Sequence, residues 1–521
     1  MSTWLAFDAS TQSLSAILVD DSGQVTAEES VNFGLDLPDY NAPKGFVQNT
    51  AEGEVVSDPL MWLDALDLCL ERMRSNGVDF SGVRGISGAG QQHGTVYLSD
   101  LWFTKIKALD PSQALSNQIK PCLARDVAPI WMDVSTGDEC REISRSMGGD
   151  LRVCETSGSI PIERFSGPQI RKFSKDHKAS YAKTARIHLV SSFLASILSG
   201  SDAPIDHGDA AGMNLMNLDS FEWDPGLVEA TAPDLNSKLP SIEASSTSLG
   251  TVSLYFQKRY GFHSNAEVIA FTGDNPSSLI GMGAGEPGTL VISLGTSDTL
   301  FAAMTKPTTD PNGYGHVFGN PSGGFMSLVC FRNGSLARER VKEHLGVDWT
   351  AFDAEHLQAT PLGNDGDGMI PFFGPEISPR IDLQKTILFG SPEFVQNPSA
   401  AKYIRACLEG QFINMKLQTQ WMELTPKQIL LTGGASTNDG IAQTVADVFG
   451  LPVERLSSTN SVALGGILRA AQALGGDAGT LKEILCAPVA GSRRTPDESA
   501  SDAYQRLACS FSETLRSLQD E

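Results

Sequence analysis

The sequence predicts an α/β fold in which one structural plan occurs twice. Three patterns favour this class: an apolar strand that ends in a polar turn near the amino terminus, a second copy after residue 290, and a strand, glycine loop and helix near residue 430. By length alone the 521 residues correspond to roughly three to four units, and two large units are the arrangement we expect. Ligands are expected where strands end in these turns.

Composition excludes several classes of partner. The chain has 39 lysine and arginine residues against 62 aspartate and glutamate residues, which gives a formal net charge of −23. An acidic surface repels a phosphate backbone, and the sequence contains no long basic run that would offset this repulsion. The hydrophobic fraction of 41% is that of a folded protein. We therefore expect neither a nucleic-acid polymer nor a membrane as a partner.

The cysteines and the amino terminus indicate the compartment. The eight cysteines include no Cys-x-x-Cys pair, so we expect reduced and mostly buried thiols. No basic residue precedes Lys44, and Asp8 interrupts the first apolar run, so the terminus does not have the pattern of a secretory signal. The most apolar later stretch, 187–198, is too short and too polar to span a bilayer. The cytoplasm is the expected location, and the chain is expected to be a monomer or a homodimer.

The first hundred residues predict a strand, a turn, a strand, a helix and a further strand. Residues 3–7 and 16–19 are apolar runs separated by a polar turn at 8–12. An amphipathic helix is predicted to open at Ser57-Asp58-Pro59 and to end at Gly77. The strand 83–87 follows and leads into the polar stretch 88–94.

A weak internal repeat relates two segments of the chain. Residues 5–14 align with residues 291–300, which places Ser10-Thr11 over Thr296-Ser297. Each copy predicts a hairpin whose turn carries hydroxyl groups and backbone N–H groups, and such turns suit an anionic phosphate. Ten residues of similarity also arise by chance, so this repeat alone does not decide the matter.

The region near residue 430 predicts a second kind of anion site. Residues 428–432 form a buried strand, 433–437 a glycine-rich loop, and Asn438 an N-cap for a helix that ends at Gly450. A helix amino terminus behind a glycine loop favours a phosphate or a nucleotide, and an ordinary strand-to-helix connection explains the pattern equally well. A preceding helix is predicted to open at Asn397-Pro398 and to pack in the core.

Several catalytic motifs are absent from the sequence. Without a Gly-Lys dipeptide there is no Walker loop, and the His-Arg-Asp and Asp-Phe-Gly motifs of protein kinases are missing. The lack of a Gly-x-Ser-x-Gly elbow disfavours a serine hydrolase. The Gly-x-Gly-x-x-Gly of 283–288 precedes a predicted strand and contains Pro287, so we do not interpret it as a dinucleotide site.

Five ordered motifs together resemble the FGGY carbohydrate kinases. The likeness extends from about Trp4 to about Gly475 and includes less common stretches such as Trp131-Met132-Asp133 and Glu163-Arg164-Phe165. Within the family it is closest to eukaryotic-type members that act on xylulose. The five motifs are Asp8-x-Ser10-Thr11-Gln12, Gly90-Gln91-Gln92-His93-Gly94, Phe271-Thr272-Gly273-Asp274-Asn275, Leu294-Gly295-Thr296-Ser297-Asp298 and Thr432-Gly433-Gly434-Ala435-Ser436-x-Asn438.

The resemblance implies two ribonuclease-H-like lobes, as in actin and Hsp70, that flank a central cleft holding ATP and a sugar. Residues 1–270 would form the sugar-binding lobe with the first phosphate hairpin, and residues 271–480 the nucleotide-binding lobe. Residues 481–521 would form a helical tail.

The resemblance also implies roles for the sugar-side residues. Asp274 matches the catalytic base of the family. The local sequence around Asp274, taken alone, favours a turn aspartate or a helix N-cap. Asn275 would bind the sugar. His93 would contact the ketose, where a core histidine is the plainer interpretation, and Arg164 would donate to sugar hydroxyls, where a solvated surface charge is the plainer one.

On the nucleotide side, Asp8 would face Mg²⁺ or its waters, because this ion prefers oxygen ligands. Trp349 would stack near the adenine, and a packing role suits it almost equally well. Asp133 is open to interpretation as a loop carboxylate, and Val134 departs from the serine that the family pattern leads us to expect. The remaining implied contacts are with the phosphates, through Ser10, Thr11, Gln12, Thr296 and Ser297, and with the adenosine, through Gly434, Ala435 and Asn438.

The implied activity is the transfer of a phosphoryl group from ATP to the terminal hydroxyl of D-xylulose, which gives D-xylulose 5-phosphate. Two alternatives stay open at the sequence level. One is the same chemistry on ribulose, gluconate or glycerol. The other is a non-catalytic nucleotide switch of the actin or Hsp70 kind.

Overall fold

The computed structural model describes residues 2–48, 51–383, 385–457 and 460–519. They belong to two compact units that interleave along the chain. The boundaries therefore differ from the contiguous segments 1–270, 271–480 and 481–521 that the sequence led us to expect. The first unit comprises Met1–Gly285, Val317–Met326 and Thr459–Cys486, and the second comprises Glu286–His316, Ser327–Ser458 and Ala487–Glu521.

A mixed sheet is the centre of the first unit. The strand Thr3–Ala9 pairs antiparallel with Ser13–Asp20 on one side and parallel with Val83–Gly90 on the other. Its apolar residues are buried on both faces, as expected for a central strand. The strand order is Ser248–Thr251, Glu267–Ile269, Val83–Gly90, Thr3–Ala9, Ser13–Asp20 and Val25–Asn32, and Thr272–Gly273 also pairs with Val83–Gly90.

Two helices cover opposite faces of this sheet. Pro59–Ser75 packs against the face that carries Leu5 and Phe7. Ser461–Ala473 packs against the face that carries Trp4 and Ala6. Because side chains alternate along a strand, the central strand is thus enclosed from both sides.

The remaining elements of the first unit are smaller sheets and helices that surround this core. The small sheets pair Val47–Gln48 with Val55–Ser57 and Ala128–Pro129, Thr95–Leu98 with Arg186–Leu189, Ile205–Asp206 with Ile242–Glu243, and Met216–Asn217 with Glu222–Trp223. The further helices are Phe33–Asp36, Trp102–Lys105, Leu115–Ile119, Gly137–Met147, Asp150–Ser157, Ser166–Asp176, Lys178–Lys183, Val190–Ser199, His207–Gly212, Pro225–Thr231, Leu235–Lys238, Leu254–Tyr260, Asp274–Gly281 and Ala478–Leu485.

The second unit repeats the sheet plan of the first. Thr289–Leu294 pairs antiparallel with Asp298–Met304 and parallel with Gln428–Thr432, which pairs parallel with Val453–Arg455. The first sheet has the same succession of one antiparallel hairpin and two parallel strands. The predicted repeat of the two hairpins is therefore confirmed by the topology, and the predicted α/β class is confirmed with it.

The other elements of the second unit are mainly helical. Its further strands are most of Phe325–Phe331 and the pairs Gly368–Ile370 with Ile387–Phe389 and Glu376–Ile377 with Arg380–Ile381, whereas most of the strand His316–Gly319 is assigned to the first unit. Its helices are Ser335–Leu345, Ala354–Leu357, Pro392–Gln396, Ala400–Gln418, Asp439–Phe449 and Ala500–Gln519, with short 3₁₀ turns at Trp349–Phe352 and Gly434–Thr437.

Most local predictions are confirmed, but several boundaries were wrong, since the first two strands extend over Thr3–Ala9 and Ser13–Asp20 and place Asp8 in a strand instead of the turn. The first-unit helix begins after Asp58, whose side chain accepts from the Leu60 N–H. The strand predicted to end at residue 87 continues to Gly90, because Thr3–Ala9 and Thr272–Gly273 both pair with its glycine-rich end. The helix predicted to open at Asn397 begins at Ala400, after the cap Ser399.

In the part of the chain that the structure describes, no helix is both long and apolar enough to cross a membrane. Five of the eight cysteines are buried, namely Cys69, Cys122, Cys140, Cys154 and Cys407. Cys509, on the last helix, is exposed.

Candidate active site

Asp8 supplies the first of two inward-facing carboxylates in the first unit. It lies near the end of Thr3–Ala9, between Ser15 on one neighbouring strand and Ala89 on the other. Its Oδ1 atom is buried without a hydrogen-bond partner. Burial, with repulsion from Asp274 adding to it, raises the pKa of Asp8 to about 7. An unsatisfied carboxylate oxygen of this kind is suited to a cation.

Asp274 is the second carboxylate, and it stands at the first position of the helix Asp274–Gly281. The strand pairing of Thr272 and Gly273 with Val83–Gly90 fixes the backbone just before it. Its Oδ1 accepts hydrogen bonds from the Asn275 N–H at 2.8 Å and from Asn275 Nδ2 at 3.0 Å. Burial raises the pKa of Asp274 to about 6 although these hydrogen bonds oppose the shift. Asp274 is therefore ionised near neutral pH, but it binds a proton more tightly than an ordinary aspartate does.

Gln92 and Asp209 form the wall beside Asp274. Asn275 Nδ2 donates to Gln92 Oε1 at 2.9 Å. Gly273 allows this packing, because a Cβ there would lie 2.5 Å from Gln92 Cγ and 2.9 Å from Asp209 Oδ1. Burial, with Asp206 and Asp274 adding to it, raises the pKa of Asp209 well above its usual range.

His93 and Arg164 meet through one aromatic ring. The His93 ring lies 4.7 Å from the ring of Phe165, and the Arg164 guanidinium lies 5.4 Å from the centre of the same ring. His93 has a left-handed backbone, with φ of 73°, and its Nδ1 contacts the Gly212 carbonyl oxygen at 2.8 Å. A carbonyl only accepts, so Nδ1 carries the proton and Nε2 of a neutral ring is an acceptor.

The Trp131–Asp133 loop is held by Asp133. The carboxylate of Asp133 accepts from the Val55 N–H at 3.0 Å, from Gln169 Nε2 at 2.7 Å and from Ser135. Asp133 is therefore a structural carboxylate that ties three segments together. Gln169 in turn donates to the carbonyl of Glu163, beside Arg164, at 3.0 Å.

The first hairpin turn consists of Ser10, Thr11 and Gln12. Ser10 closes the turn, since its N–H donates to the Ser13 carbonyl at 3.0 Å. Thr11 Oγ1 accepts from the indole N–H of Trp131 at 2.8 Å. Gln12 is exposed. These groups lie directly after Asp8, which connects the turn to the carboxylates.

In the second unit, Thr296 and Ser297 form the corresponding turn. Both residues are exposed, between the buried ends of Thr289–Leu294 and Asp298–Met304. The neighbouring strand Gln428–Thr432 ends beside this turn, because Ser293 is in register with Thr432.

The glycine loop packs directly on the strand that leads to this turn. Gly433 has φ of 87°, and a Cβ there would lie 2.4 Å from the Leu294 carbonyl oxygen. Only glycine fits this approach. Gly434 and Ala435 follow in a 3₁₀ turn, where the sequence predicted a loop, and a Cβ at Gly434 would meet no atom within 4 Å.

Asn438 caps the helix Asp439–Phe449 by accepting from the Ile441 N–H at 2.9 Å. Its Nδ2 donates to Asp353 Oδ1 at 3.0 Å. Asp353 follows the turn that begins with Trp349, whose indole is 43% exposed with Lys342 Nζ 4.9 Å from its ring. An accessible aromatic face thus belongs to the same neighbourhood as the helix amino terminus.

The structure sorts the sequence-predicted residues into two sets. Sequence reasoning gave no role to Gln92, Phe165 or Asp209, although Gln92 and Phe165 lie in stretches that carried the family resemblance. In the first unit are Asp8, Ser10, Thr11, Gln12, His93, Arg164, Asp274 and Asn275, and in the second are Thr296, Ser297, Trp349, Gly434, Ala435 and Asn438.

A divalent cation fits Asp8 only if other ligands complete its shell. Among the described residues, no three histidine, cysteine, aspartate or glutamate side chains form a cluster that could hold a metal. Mg²⁺ usually keeps several waters and uses one or two carboxylates together with substrate phosphates. The buried, unpartnered Oδ1 of Asp8 matches that mode of binding.

The duplicated sheet, the carboxylates of the first unit and the hydroxyl turn with its glycine loop in the second are the features expected of a sugar kinase. The FGGY family of carbohydrate kinases matches this chain with its N-terminal domain at residues 121–281 and its C-terminal domain at residues 290–474. The chain belongs to this family and is a carbohydrate kinase. Members of the family use ATP and a sugar as substrates.

Curated relatives and solved structures extend over almost the whole chain. A xylulose kinase of Rattus norvegicus is 39% identical over 98% of this chain and 96% of its own length. Xylulose kinase 2 of Arabidopsis thaliana is 38% identical over 90% of this chain and 87% of its own length. The crystal structure of a xylulose kinase from Rhodospirillum rubrum superposes with a TM-score of 0.81 at 19% identity and covers 99% of both chains. This last match confirms the predicted fold.

Proposed function

We propose that this chain transfers the γ-phosphoryl group of ATP to the terminal hydroxyl of D-xylulose, giving D-xylulose 5-phosphate. The observation that carries the proposal is the set of Asp274, Asn275, His93 and Arg164 in one unit, with Asp274 half-buried and held by Asn275. The xylulose kinases from rat and Arabidopsis, which are similar over nearly their full lengths, favour this sugar over others.

Asp274 acts as the general base in this proposal. Above its pKa of about 6 the carboxylate is ionised and accepts the proton of the sugar hydroxyl as that oxygen attacks the γ-phosphorus. Asn275 holds the carboxylate in place through two hydrogen bonds to Oδ1. Its amide also donates to Gln92 Oε1, so the base is linked through Asn275 to the neighbouring polar side chain.

His93 and Arg164 orient the sugar. The contact of His93 Nδ1 with Gly212 fixes the tautomer, so Nε2 accepts a hydrogen bond from a sugar hydroxyl. Arg164 donates to hydroxyl oxygens through its planar fork, and its position over Phe165 limits the orientations of that fork. Alignment of the hydroxyl is itself a large part of the rate enhancement in phosphoryl transfer.

The second unit binds the nucleotide in this proposal. Thr296 and Ser297 donate to phosphate oxygens, as do Ser10, Thr11 and Gln12 of the first unit. Gly434 and Ala435 give the adenosine close access to the backbone, Asn438 lies at the helix amino terminus, and Trp349 offers an aromatic face. Asp8 would hold Mg²⁺, which when bound neutralises charge on the β- and γ-phosphates.

A rate assay across a sugar panel tests the proposed substrate. ADP release with D-xylulose should exceed release with ribulose, gluconate and glycerol, and Asp274→Ala should abolish it. No turnover with D-xylulose, or wild-type turnover in the variant, would overturn the proposal. Faster turnover with another sugar would keep the chemistry and change the substrate.

A nucleotide switch of the actin or Hsp70 kind is the alternative from another class. A switch has no need for the sugar-side set of Asp274, Asn275 and His93. A thermal-shift screen separates the two proposals, because only the kinase gains stability with D-xylulose. ATP binding without any response to a sugar would favour the switch.

Location and assembly also belong to this proposal. We place the enzyme in the cytoplasm as a monomer or homodimer, with no nucleic acid or membrane partner. Fractionation and light scattering of the purified chain test these two points.

A further inference from the structure

A buried ion pair lies directly behind the turn that carries Thr296 and Ser297. Asp298 follows the turn, and Arg338 extends towards it from the helix Ser335–Leu345. Arg338 Nη1 contacts Asp298 Oδ2 at 2.9 Å and Arg338 Nη2 contacts Asp298 Oδ1 at 2.9 Å. The side chains are only 0% and 2% exposed. The pair is therefore bidentate and almost wholly removed from water.

Further hydrogen bonds fix the orientation of the guanidinium. Nη1 also donates to Gln411 Oε1 at 3.2 Å, and Nη2 also donates to Ser335 Oγ at 3.0 Å. Gln411 Nε2 donates to the carbonyls of Asn333 and Gly334 at 2.6 and 2.9 Å. The Arg338 fork is thus bound to the loop that precedes its own helix as well as to Asp298.

The helix that carries Arg338 also holds the backbone of Gly295, the residue before Thr296. The carbonyl of Gly295 accepts a hydrogen bond from the Ser335 N–H at 3.0 Å. Gly334 permits this arrangement, because a Cβ there would lie 2.6 Å from the Asp298 nitrogen. Thr296 and Ser297 therefore lie between two residues whose positions are fixed, Gly295 and Asp298, while their own side chains are exposed to solvent.

A buried ion pair of this kind is expected to contribute little to the stability of the folded chain. The cost of removing two charges from water often equals or exceeds their attraction, and apolar replacements of similar volume are often as stable. A bidentate pair does supply a fixed direction, since the planar fork and the carboxylate match in only a few geometries. Its position behind an exposed hydroxyl turn therefore favours a role in the shape of that turn.

We propose that Asp298 and Arg338 are positioning residues that hold the Thr296–Ser297 turn in the geometry that receives the phosphates of ATP. The inference rests on the proposed nucleotide role of this turn. It assigns to Asp298 and Arg338 an effect on nucleotide affinity and none on the sugar, whose proposed ligands lie in the other unit.

The test compares Arg338→Lys and Asp298→Asn with the wild-type chain. Lysine keeps the charge and loses the fork, and asparagine keeps the shape and loses the charge. The KM for ATP and the Kd for a nonhydrolysable ATP analogue should rise by about tenfold or more, because the loss of one hydrogen bond to a charged group weakens an interaction by about that factor. The KM for D-xylulose should stay within about twofold of the wild-type value.

The chain offers a matched control in the same unit. Arg405 contacts Glu409 at 3.0 Å, and both side chains are buried, but their other partners are Thr360, Tyr504, Leu357 and Gly363 rather than the turn. Arg405→Lys and Glu409→Gln should lower the thermal midpoint and leave the KM for ATP unchanged. An equal rise of that KM in the control variants would overturn the inference.

Gly334→Ala tests whether the geometry of the turn controls ATP affinity without changing either charge. It keeps both members of the pair and forces a methyl group against the Asp298 amide, so it should raise the KM for ATP in the same way. An unchanged KM for ATP in the folded variants, or an equal loss of ATP and sugar affinity, would contradict the inference. A wild-type chain that binds the ATP analogue but does not phosphorylate D-xylulose would refute the proposed reaction. The Kd for the ATP analogue in the variants would then still test the role of Asp298 and Arg338.

Discussion

Asp274 illustrates how one residue acquires chemistry from its surroundings. In the sequence it is an aspartate after Thr-Gly and before Asn-Pro, which is equally typical of a turn or a helix start. In the fold it is the half-buried first residue of a helix, it interacts electrostatically with Asp8 and Asp209, and it is held by Asn275. The family motif pointed to this residue, but its environment comes from elements far away in the chain.

Asp274→Asn should remove the base while it keeps the shape of the site. We expect kcat to fall by about a hundredfold or more, because a positioned general base contributes about that much or more to proton transfer. The affinity for D-xylulose should change little, since the amide still occupies the same volume. Steady-state kinetics together with calorimetric titration of the sugar check this, and a weak effect on kcat would assign the base to another group.

The pH dependence of kcat/KM for the sugar follows from the raised pKa of Asp274. The ionised carboxylate is the active form, so at saturating Mg²⁺, which keeps Asp8 ionised, activity should be constant above the pKa of about 6 and fall as the pH drops through it. The fall should approach about tenfold per pH unit. His93→Gln is the control, because a histidine also titrates in this range. An acid limb that disappears in His93→Gln would show that the histidine, and not Asp274, controls the rate.

Other site residues could not be found from single positions in the sequence. Arg338 reads as a surface charge on an amphipathic helix, and its partner Asp298 is 40 residues away. Phe165 reads as a core aromatic, yet it is the ring that His93 and Arg164 share. Such roles depend on pairs, and a sequence without alignment gives no information on which residues meet.

At the scale of elements, two helices of the first unit pack through glycine. A Cβ at Gly281 would lie 1.8 Å from the Ser461 carbonyl oxygen, and one at Gly465 would lie 2.0 Å from the Ser277 carbonyl oxygen. The backbones of Asp274–Gly281 and Ser461–Ala473 are therefore in close contact. The sequence predicts helices but cannot show that a glycine inside one is needed for contact with another.

Gly465→Ala should push these two helices apart. We expect a loss of about 1–3 kcal/mol in the free energy of unfolding, which is typical of overpacking. The kcat should fall as well, because one of the helices begins with Asp274. Gly479→Ala is the control, since it lies in a helix of the same unit with no atom closer than 3.5 Å to the new Cβ. Denaturant unfolding of both variants measures the difference, and equal stabilities would contradict the packing argument.

Strand ends were the other point at which element prediction failed. Gly88, Ala89 and Gly90 have poor strand propensity and were assigned to a loop, but strands on both sides recruit them into the sheet. Small residues are required there, because a Cβ at Gly88 would lie 2.6 Å from the Phe7 carbonyl oxygen. Tertiary pairing thus overrides the local preference, and it brings Gln91 and His93 to the end of a central strand.

At the scale of the whole molecule, the repeat predicted the architecture better than length did. Two ten-residue segments indicated two hairpins, and the sheets around them share one strand order. The interleaving of the units was not predictable, because the helix Ser461–Ala473 returns to the first unit after more than a hundred residues of the second. Its apolar face and its buried Arg469, which donates to the carbonyls of Gly88 and Ala270, explain that return.

The net charge of −23 has a consequence for ligand binding. An acidic chain binds ATP only where local N–H groups, hydroxyls and a cation offset the overall repulsion. Removal of Mg²⁺ with a chelator should therefore abolish turnover and lower the midpoint shift that ATP produces, while the shift produced by D-xylulose should persist. Thermal unfolding with each ligand alone measures this, and full ATP stabilisation without the metal would contradict the role given to Asp8.

The most direct test of the account is the identity of the product. The wild-type chain should convert D-xylulose and ATP with Mg²⁺ into ADP and a single sugar phosphate, and phosphorus NMR should place the phosphate on the terminal oxygen. Asp274→Asn should form the same product about a hundredfold or more slowly under the same conditions. A phosphate on another oxygen, or turnover of D-xylulose at the wild-type rate in Asp274→Asn, would contradict the central claim.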